Sequence, residues 1–577
     1  MPRRDDEETL RTIDRRTFLS HGSAGAAGLL VGGHWGRLWA QDTRGLAPSA
    51  VIKTTSGSVR GVVQDRVSAF YGIPYGASTA GAGRFMPPSR PQPWTGVRDC
   101  LTYGPRSPQG PSGLIPEDAA EDRREPAGED CLRLNVWTPG PGGGARRPVM
   151  VWLHGGGFAQ ASGSFVIYDG ANLARRRDVV VVTLNHRLNV FGFLYLAELG
   201  GAKYAKAANA GMQDVVLALE WVRDNIAAFG GDPANVTVFG QSGGGGKVCA
   251  LMGMPSAKGL FHRAIAMSGS LISGTRPDAA TRNAEALLAR LNLKPTQLDE
   301  LQRLPVDQIL AAMAAPAGAG PGGGAGRGAG RGRGGPGGAG LTFGPVIDGT
   351  VIPADPFDPV ASPLSAPVPL MVGSTETEVT FNRNTPLDEM DDQTLHERVK
   401  QIVAADDASV DALIATYRKG RPGVSTIDLY LILASDASFR EGVLTLAERK
   451  AEQRQARVYM YYFTWRSPVR DGKLKAFHTL DIPFAFENVD LATAMTGAHQ
   501  SRYLLADRMS AAFAAFARTG NPNHPGIPAW PAFDPATRAT MLIDNEWKVV
   551  NDPNGAERLA LKALRERTRQ NQAAARG

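Results

Sequence analysis

The sequence predicts an α/β fold on a largely parallel central sheet, and three observations carry that prediction. Short, unbroken apolar runs such as RPVMVWL (147–153) and DVVVVTL (178–184) have the pattern of strands buried on both faces. Helical periodicity alternates with them: between Asn209 and Phe229 apolar residues fall at 212, 215, 216, 219, 222, 226 and 229, one face of a helix. Two glycine-rich segments, HGGGF (154–158) and GQSGGGG (240–246), each begin where such a run ends. Strand carboxyl ends are where α/β sheets place their ligands.

The remaining elements follow the same logic. VIKTTSGSVRGVVQ (51–64) and VSAFYGIPYG (67–76) alternate apolar and polar residues between glycines, as antiparallel edge strands do. NVTVFG (235–240), AIAMS (264–268), VPLMVG (368–373), RVYMYYFTW (457–465) and ATMLID (539–544) are further strand candidates, and residues 243–254 read as a helix. Helix-rich stretches at 278–315 and 386–455 are expected to form a lid or flanking lobe. The interval 316–340 is almost wholly Gly, Ala, Pro and Arg; it has too little apolar surface to bury and reads as a disordered surface insertion. Strands of the same kind resume after it, so residues 41–577 are expected to form one domain.

Bulk composition sets limits. The chain has 577 residues, 43% hydrophobic and 21% charged, which allows a sizeable core. The net charge of +7 comes in part from Arg327, Arg331, Arg333 and an Arg-rich C-terminal end. No basic-plus-aromatic module accompanies these arginines, which argues against a nucleic-acid partner. At the N-terminus, Arg15 and Arg16 precede Thr17, Phe18, Leu19 and the mild apolar run SAGAAGLLVGG, ending near Trp39 and Ala40. A paired arginine before a weakly hydrophobic core resembles a bacterial twin-arginine signal, so residues 1–40 predict export to the periplasm or beyond. That run is too short and too Gly-rich for a stable membrane span, and no later segment approaches about 18 consecutive apolar residues. Of three cysteines, Cys100 and Cys131 flank a polar, Pro-rich stretch while Cys249 lies in an apolar helical segment. In an exported protein, a Cys100–Cys131 disulfide with Cys249 buried is the economical expectation.

The glycine-rich segments carry chemistry. Gly240-Gln241-Ser242-Gly243-Gly244 fits G-x-S-x-G between a buried strand and a helix, a strained turn that lifts a serine hydroxyl into a cleft. The helix N-terminus beneath favours developing negative charge. In His154-Gly155-Gly156-Gly157-Phe158 the glycines leave backbone N–H groups unobstructed, as an oxyanion hole requires. A neutral serine needs a base, and the base needs an acid to orient it. With the acid and then the base following the nucleophile in the chain, five histidines qualify: His262, His396, His478, His499 and His524. His262 precedes any plausible acid strand, and His396 falls in the helical stretch DQTLHERV. His478 follows the strand RVYMYYFTW by a loop, where a base should hang. For the acid, PLMVGSTETEVTF offers Glu376 and Glu378 nearly evenly.

Over nearly the whole chain after residue 40, the sequence resembles the type B carboxylesterase and cholinesterase-like family of α/β-hydrolases. The segments GRFMPP, GEDCLRLNVWTP, VWLHGGGF, LNHRLNVFGF, FHRAIAMSGS, AFHTLDIPFAF and TGNPN occur in order. The resemblance implies an α/β-hydrolase fold and a carboxylic ester hydrolase acting on a small-molecule ester, with no metal or organic cofactor. It implies Ser242 as nucleophile, His478 as base and Glu378 as acid, with Glu376 second. It implies oxyanion donors at Gly156, Gly157 and Gly243, a Cys100–Cys131 disulfide, and structural ion pairs Arg84–Glu129 and Arg187–Asp214. This sequence departs from the family pattern in three places. Gln241 replaces the usual glutamate before the nucleophile, Thr377 and Val379 flank the acid atypically, and residues 103–128 lack a tryptophan that could bind a cation. Cholinesterase activity is therefore not expected. Amide, carbamate or lactone hydrolysis on the same site and a non-catalytic adhesion protein are the rival readings.

Overall fold

Strand and helix alternate in the computed structural model as the apolar runs require, and the structure describes residues 46–110, 125–142, 144–314 and 340–574. The expected signal segment and all but Gly340 of the 316–340 insertion lie outside these residues. The N-terminal strands are β1 (Ala47–Pro48), β2 (Ile52–Lys53), β3 (Ser58–Arg60), β4 (Val62–Gln64), β5 (Val67–Pro74), β6 (Val97–Asp99) and β7 (Arg133–Thr138). Then come β8 (Arg147–Leu153), β9 (Val180–Leu184), β10 (Gly231–Gln241), β11 (Arg263–Met267) and β12 (Leu370–Thr375). The last are β13 (Val458–Phe463), β14 (Ala539–Ile543) and β15 (Lys548–Asn551).

Twelve of these form one sheet in the order β1-β4-β5-β7-β9-β8-β10-β11-β12-β13-β14-β15, and β2, β3 and β6 form a small second sheet. From β9 to β14 every pairing is parallel. The four pairings from β1 to β9 are antiparallel, as is β14 with β15. The parallel strands are buried on both faces, which explains why their sequences run apolar without alternation. Val149, Val151 and Leu153 join one core cluster, while Met150 and Trp152 join the cluster on the other face. Each such side chain, fully buried, contributes about 1.5–3 kcal/mol.

The helix Ala210–Asn225 buries Met212, Val215, Val216, Leu219 and Val222, and the following turn buries Ile226 and Phe229, the face read from the sequence. The flanking segments are helical too, at Pro277–Arg290, Leu298–Arg303 and Val306–Ala314 and again from Asp392 to Glu452. Most of them bury satellite clusters separate from the two faces of the sheet, while Val443, Leu444, Leu446 and Ala447 pack into the cluster on one sheet face. No helix of the described residues is long and apolar enough to cross a membrane.

The structure corrects one expectation. Cys100 and Cys131 are free thiols, as is Cys249. All three sit in the same core cluster, and burial pushes each thiol up to about 12. The thiolate that forms a disulfide is scarce there, and the side chains act as small apolar fillers. The ion pairs do form. Arg84 spans both Glu129 oxygens at 2.7 and 2.6 Å, and Arg187 spans those of Asp214 at 2.8 and 2.6 Å, the latter pair almost fully buried. Strands β7 and β15 and the C-terminal helix Gly555–Ala574 were not anticipated. In β7, Asn135 is buried within RLNVWT and bonds Thr183 Oγ1, so its polarity breaks the pattern that marks the other strands.

Candidate active site

Strand β10 ends at Gln241, and the helix Gly243–Met252 starts two residues later, leaving Ser242 to make the whole reversal. Its backbone takes φ 57° and ψ −122°, a sparsely populated conformation for a non-glycine residue. It is held there by Ser242 N–H donating to Met267 O at 2.8 Å and Gly246 N–H donating to Ser242 O at 3.0 Å. The glycines around it are required by space. A methyl at Gly244 would drive into the Leu153 carbonyl, one at Gly243 into the Gly157 carbonyl, and one at Gly269 into the Ser242 carbonyl. Strand, elbow helix and HGGGF loop therefore approach one another backbone to backbone at these glycines.

The HGGGF loop leaves the carboxyl end of β8, the neighbour of β10. Gly156 has φ 77° and Gly157 φ 63°, and a methyl on Gly156 would strike the Gln160 carbonyl. A Cβ on Gly155 would lie 3.6 Å from that of Ser242, so the loop runs directly beside the serine.

The candidate acid and base follow β12 and β13. His478 Nδ1 lies 2.5 Å from Glu378 Oε2, and both side chains are buried. A carboxylate only accepts, so Nδ1 is the donor in this contact. Glu378 Oε1 is fixed by the Thr375 N–H at 2.8 Å. Thr377 N–H donates to Ala476 O at 3.0 Å, tying the acid segment to the base loop. Glu376 is engaged elsewhere, 3.0 Å from Arg466 and 3.7 Å from Arg421. His478 Nε2 is buried and has no hydrogen-bond partner among the described residues, Ser242 included. Apo hydrogen bonds of this kind often tighten only once substrate is bound.

Several contacts around the site were not foreseen. Gln241 Nε2 donates to the His478 carbonyl at 2.5 Å, a bond that the glutamate usual at this position is unable to donate. Phe381 and Phe439 pack on the His478 ring, with centroids 4.7 and 4.4 Å away. Phe439 is presented by a π-helical turn, Asp436–Arg440, inside a longer helical run, a feature frequent at functional sites. Asp481 accepts from Tyr461 Oη at 2.8 Å, and burial, with Glu378 nearby, pushes its carboxyl up to about 8. Local sequence gives no signal for these contacts, because they join segments far apart in the chain. Lys247, at the end of the glycine run, was not singled out in the sequence either. His262, His396, His499 and His524 bond locally instead: His396, for example, lies between Asp407 and Asp411 on an exposed helix pair.

Comparisons with known proteins agree with this architecture. Residues 48–561 match the model of the carboxylesterase family. The chain is 35% identical over 521 residues to a para-nitrobenzyl esterase of Bacillus subtilis, covering 89% of this chain and 98% of that one. It is 32% identical over 445 residues to a phenmedipham hydrolase of Pseudarthrobacter oxydans, covering 76% and 83% of the two chains. Among solved structures, a carboxylesterase of Geobacillus stearothermophilus superposes with a TM-score of 0.74 at 35% identity, covering 89% of this chain and all of that one. The chain therefore belongs to the carboxylesterase family, with its α/β-hydrolase fold, and is a serine carboxylic ester hydrolase.

Proposed function

We propose that the chain hydrolyses small-molecule esters through a Ser242–His478–Glu378 triad and a covalent acyl-enzyme. The observation that carries this is the buried Glu378–His478 contact, which leaves the histidine's second nitrogen unpartnered among the described residues, with the His478 carbonyl bonded to Gln241 beside the elbow. His478 Nε2 takes the Ser242 proton as the oxygen attacks the ester carbonyl. Glu378 holds the tautomer and stabilises the imidazolium. The N–H groups of Gly156, Gly157 and Gly243 receive the oxyanion. His478 returns the proton to the departing alcohol, and water then enters by the same base to release the acid and restore Ser242. Amide, carbamate and lactone cleavage need the same parts and differ in leaving group.

Stopped-flow hydrolysis of p-nitrophenyl acetate tests the reading. A burst of p-nitrophenol stoichiometric with enzyme, absent in Ser242→Ala, is expected. Turnover by Ser242→Ala at more than about a thousandth of the parent rate contradicts it. A panel of p-nitrophenyl esters is expected to peak at short acyl chains. The paired Arg15–Arg16 and the weakly apolar run after it support export with residues 1–40 removed. An N-terminus that remains at Met1 in secreted or periplasmic protein contradicts that.

A further inference from the structure

Lys247 has no part in the triad, yet it lies fully buried at the centre of the oxyanion side. It sits four residues after Gly243 on the elbow helix and so shares that residue's face. Its ammonium donates to His154 O at 2.9 Å and to Gly157 O at 2.8 Å, and stands 5.3 Å over the Phe158 ring. These two carbonyls are not arbitrary. The Gly156 and Gly157 N–H groups belong to the peptides 155–156 and 156–157, and the carbonyls of His154 and Gly157 belong to the peptides on either side. Each anchored peptide is planar and shares a Cα with the donor peptide beside it, so holding these two carbonyls pins both ends of the donor segment.

We propose that Lys247 is a positioning residue of the oxyanion hole, clamping the two peptides that bracket the Gly156 and Gly157 donors onto the helix that carries Ser242 and Gly243. The inference rests on the triad and donor assignment proposed above. Loop and helix meet through glycine backbone and the Phe158 ring over Gly246, contacts that pack closely but supply no directional bond to fix the angle between them. Lys247 supplies that constraint with two charge-assisted bonds.

The ammonium's charge fits the same role. Among the described residues, no carboxylate lies within ion-pair distance of Lys247. The titratable groups facing it are His154 and His186, stacked on each other with centroids 5.0 Å apart and held neutral by burial and by the lysine itself. Burial pushes the ammonium down to about 7. The negative charge of the tetrahedral intermediate, absent from the ground state, is complementary to it, so the clamp is strongest when the intermediate forms.

The full-length enzyme and its Lys247→Met variant decide the matter, using kcat and KM for p-nitrophenyl acetate, Ki for an alkyl trifluoromethyl ketone, and Tm. Methionine matches the length of the lysine stem and removes a buried charge, so folding is expected to be retained. Lys247→Gln is the second variant should Lys247→Met give no folded protein. The expected result is a fall in kcat of about tenfold to a hundredfold, an equal weakening of the ketone, and KM within threefold of the parent. A kcat and Ki both within threefold of the parent overturn the inference. So does a fall in kcat without a matching loss of ketone affinity. Ser242→Ala run alongside separates the two claims. If it still turns over substrate, the nucleophile assignment fails, whereas a dead Ser242→Ala beside a fully active Lys247→Met refutes the clamp alone.

Discussion

On the oxyanion side of the site, nearly everything within reach of Ser242 is backbone: the Gly156–Gly157 turn, the Leu153 carbonyl, Gly243 and Gly244. On the acid–base side the facing groups are side chains: Glu378 and His478, one hundred residues apart, with Phe381, Phe439 and Tyr461 around them. The first half is specified by local sequence, since only glycine fits where one strand-to-helix turn presses on another. The second half is specified by packing, since a carboxylate and an imidazole must meet across two neighbouring strands. Damage to each half should therefore look different.

The largest effect belongs to the side-chain half. His478→Ala is expected to lower kcat/KM by about 10⁴ to 10⁶, with circular dichroism unchanged. Glu378→Gln should cost about 10³ to 10⁴ in kcat, because the amide holds the wrong tautomer. Glu376→Gln, two residues away, should leave kcat within tenfold yet lower stability by about 1–2 kcal/mol through weakened pairing with Arg466 and Arg421. Urea unfolding beside steady-state kinetics separates the pair. Equal kinetic losses in both variants would break the assignment of the acid.

In the backbone half, Gly243→Ala should push the elbow off the Gly157 carbonyl and lower kcat by about 10² to 10³ with little change in KM. Between the halves, Gln241→Glu removes the donor to the His478 carbonyl and adds a charge. An approximately tenfold loss of kcat on neutral esters is expected, together with a lower KM for cationic esters. The smallest effect concerns the free thiols. A reductant should leave Tm unchanged to within about 1 °C, whereas a Cys100–Cys131 bond would contribute about 2–4 kcal/mol and a shift of several degrees.

The same division explains what could be read from the chain. The parallel strands were legible because burial on both faces leaves an unbroken apolar run. The elbow and HGGGF loop were legible because their glycines answer to local geometry. Between Glu376 and Glu378 the sequence left the acid open, since residues two apart share a face if the strand continues, and only the short helical turn that opens at Glu378 separates them. The structure sends Glu376 to two arginines and Glu378 to His478. Strand β7 escaped because Asn135 is buried by a bond to Thr183, and β15 because it is only partly buried beside β14. Lys247 was not singled out, because its two partners come from a loop ninety residues earlier.

That the backbone half and the side-chain half form one site around Ser242 is tested most directly by fluorophosphonate labelling followed by peptide mass spectrometry. A single adduct on Ser242 is predicted, formed in the parent and in Glu376→Gln at similar rates, slowed at least a hundredfold in Glu378→Gln, and absent in Ser242→Ala. An adduct on another residue, or equal labelling of the Glu378→Gln protein and its parent, would contradict it.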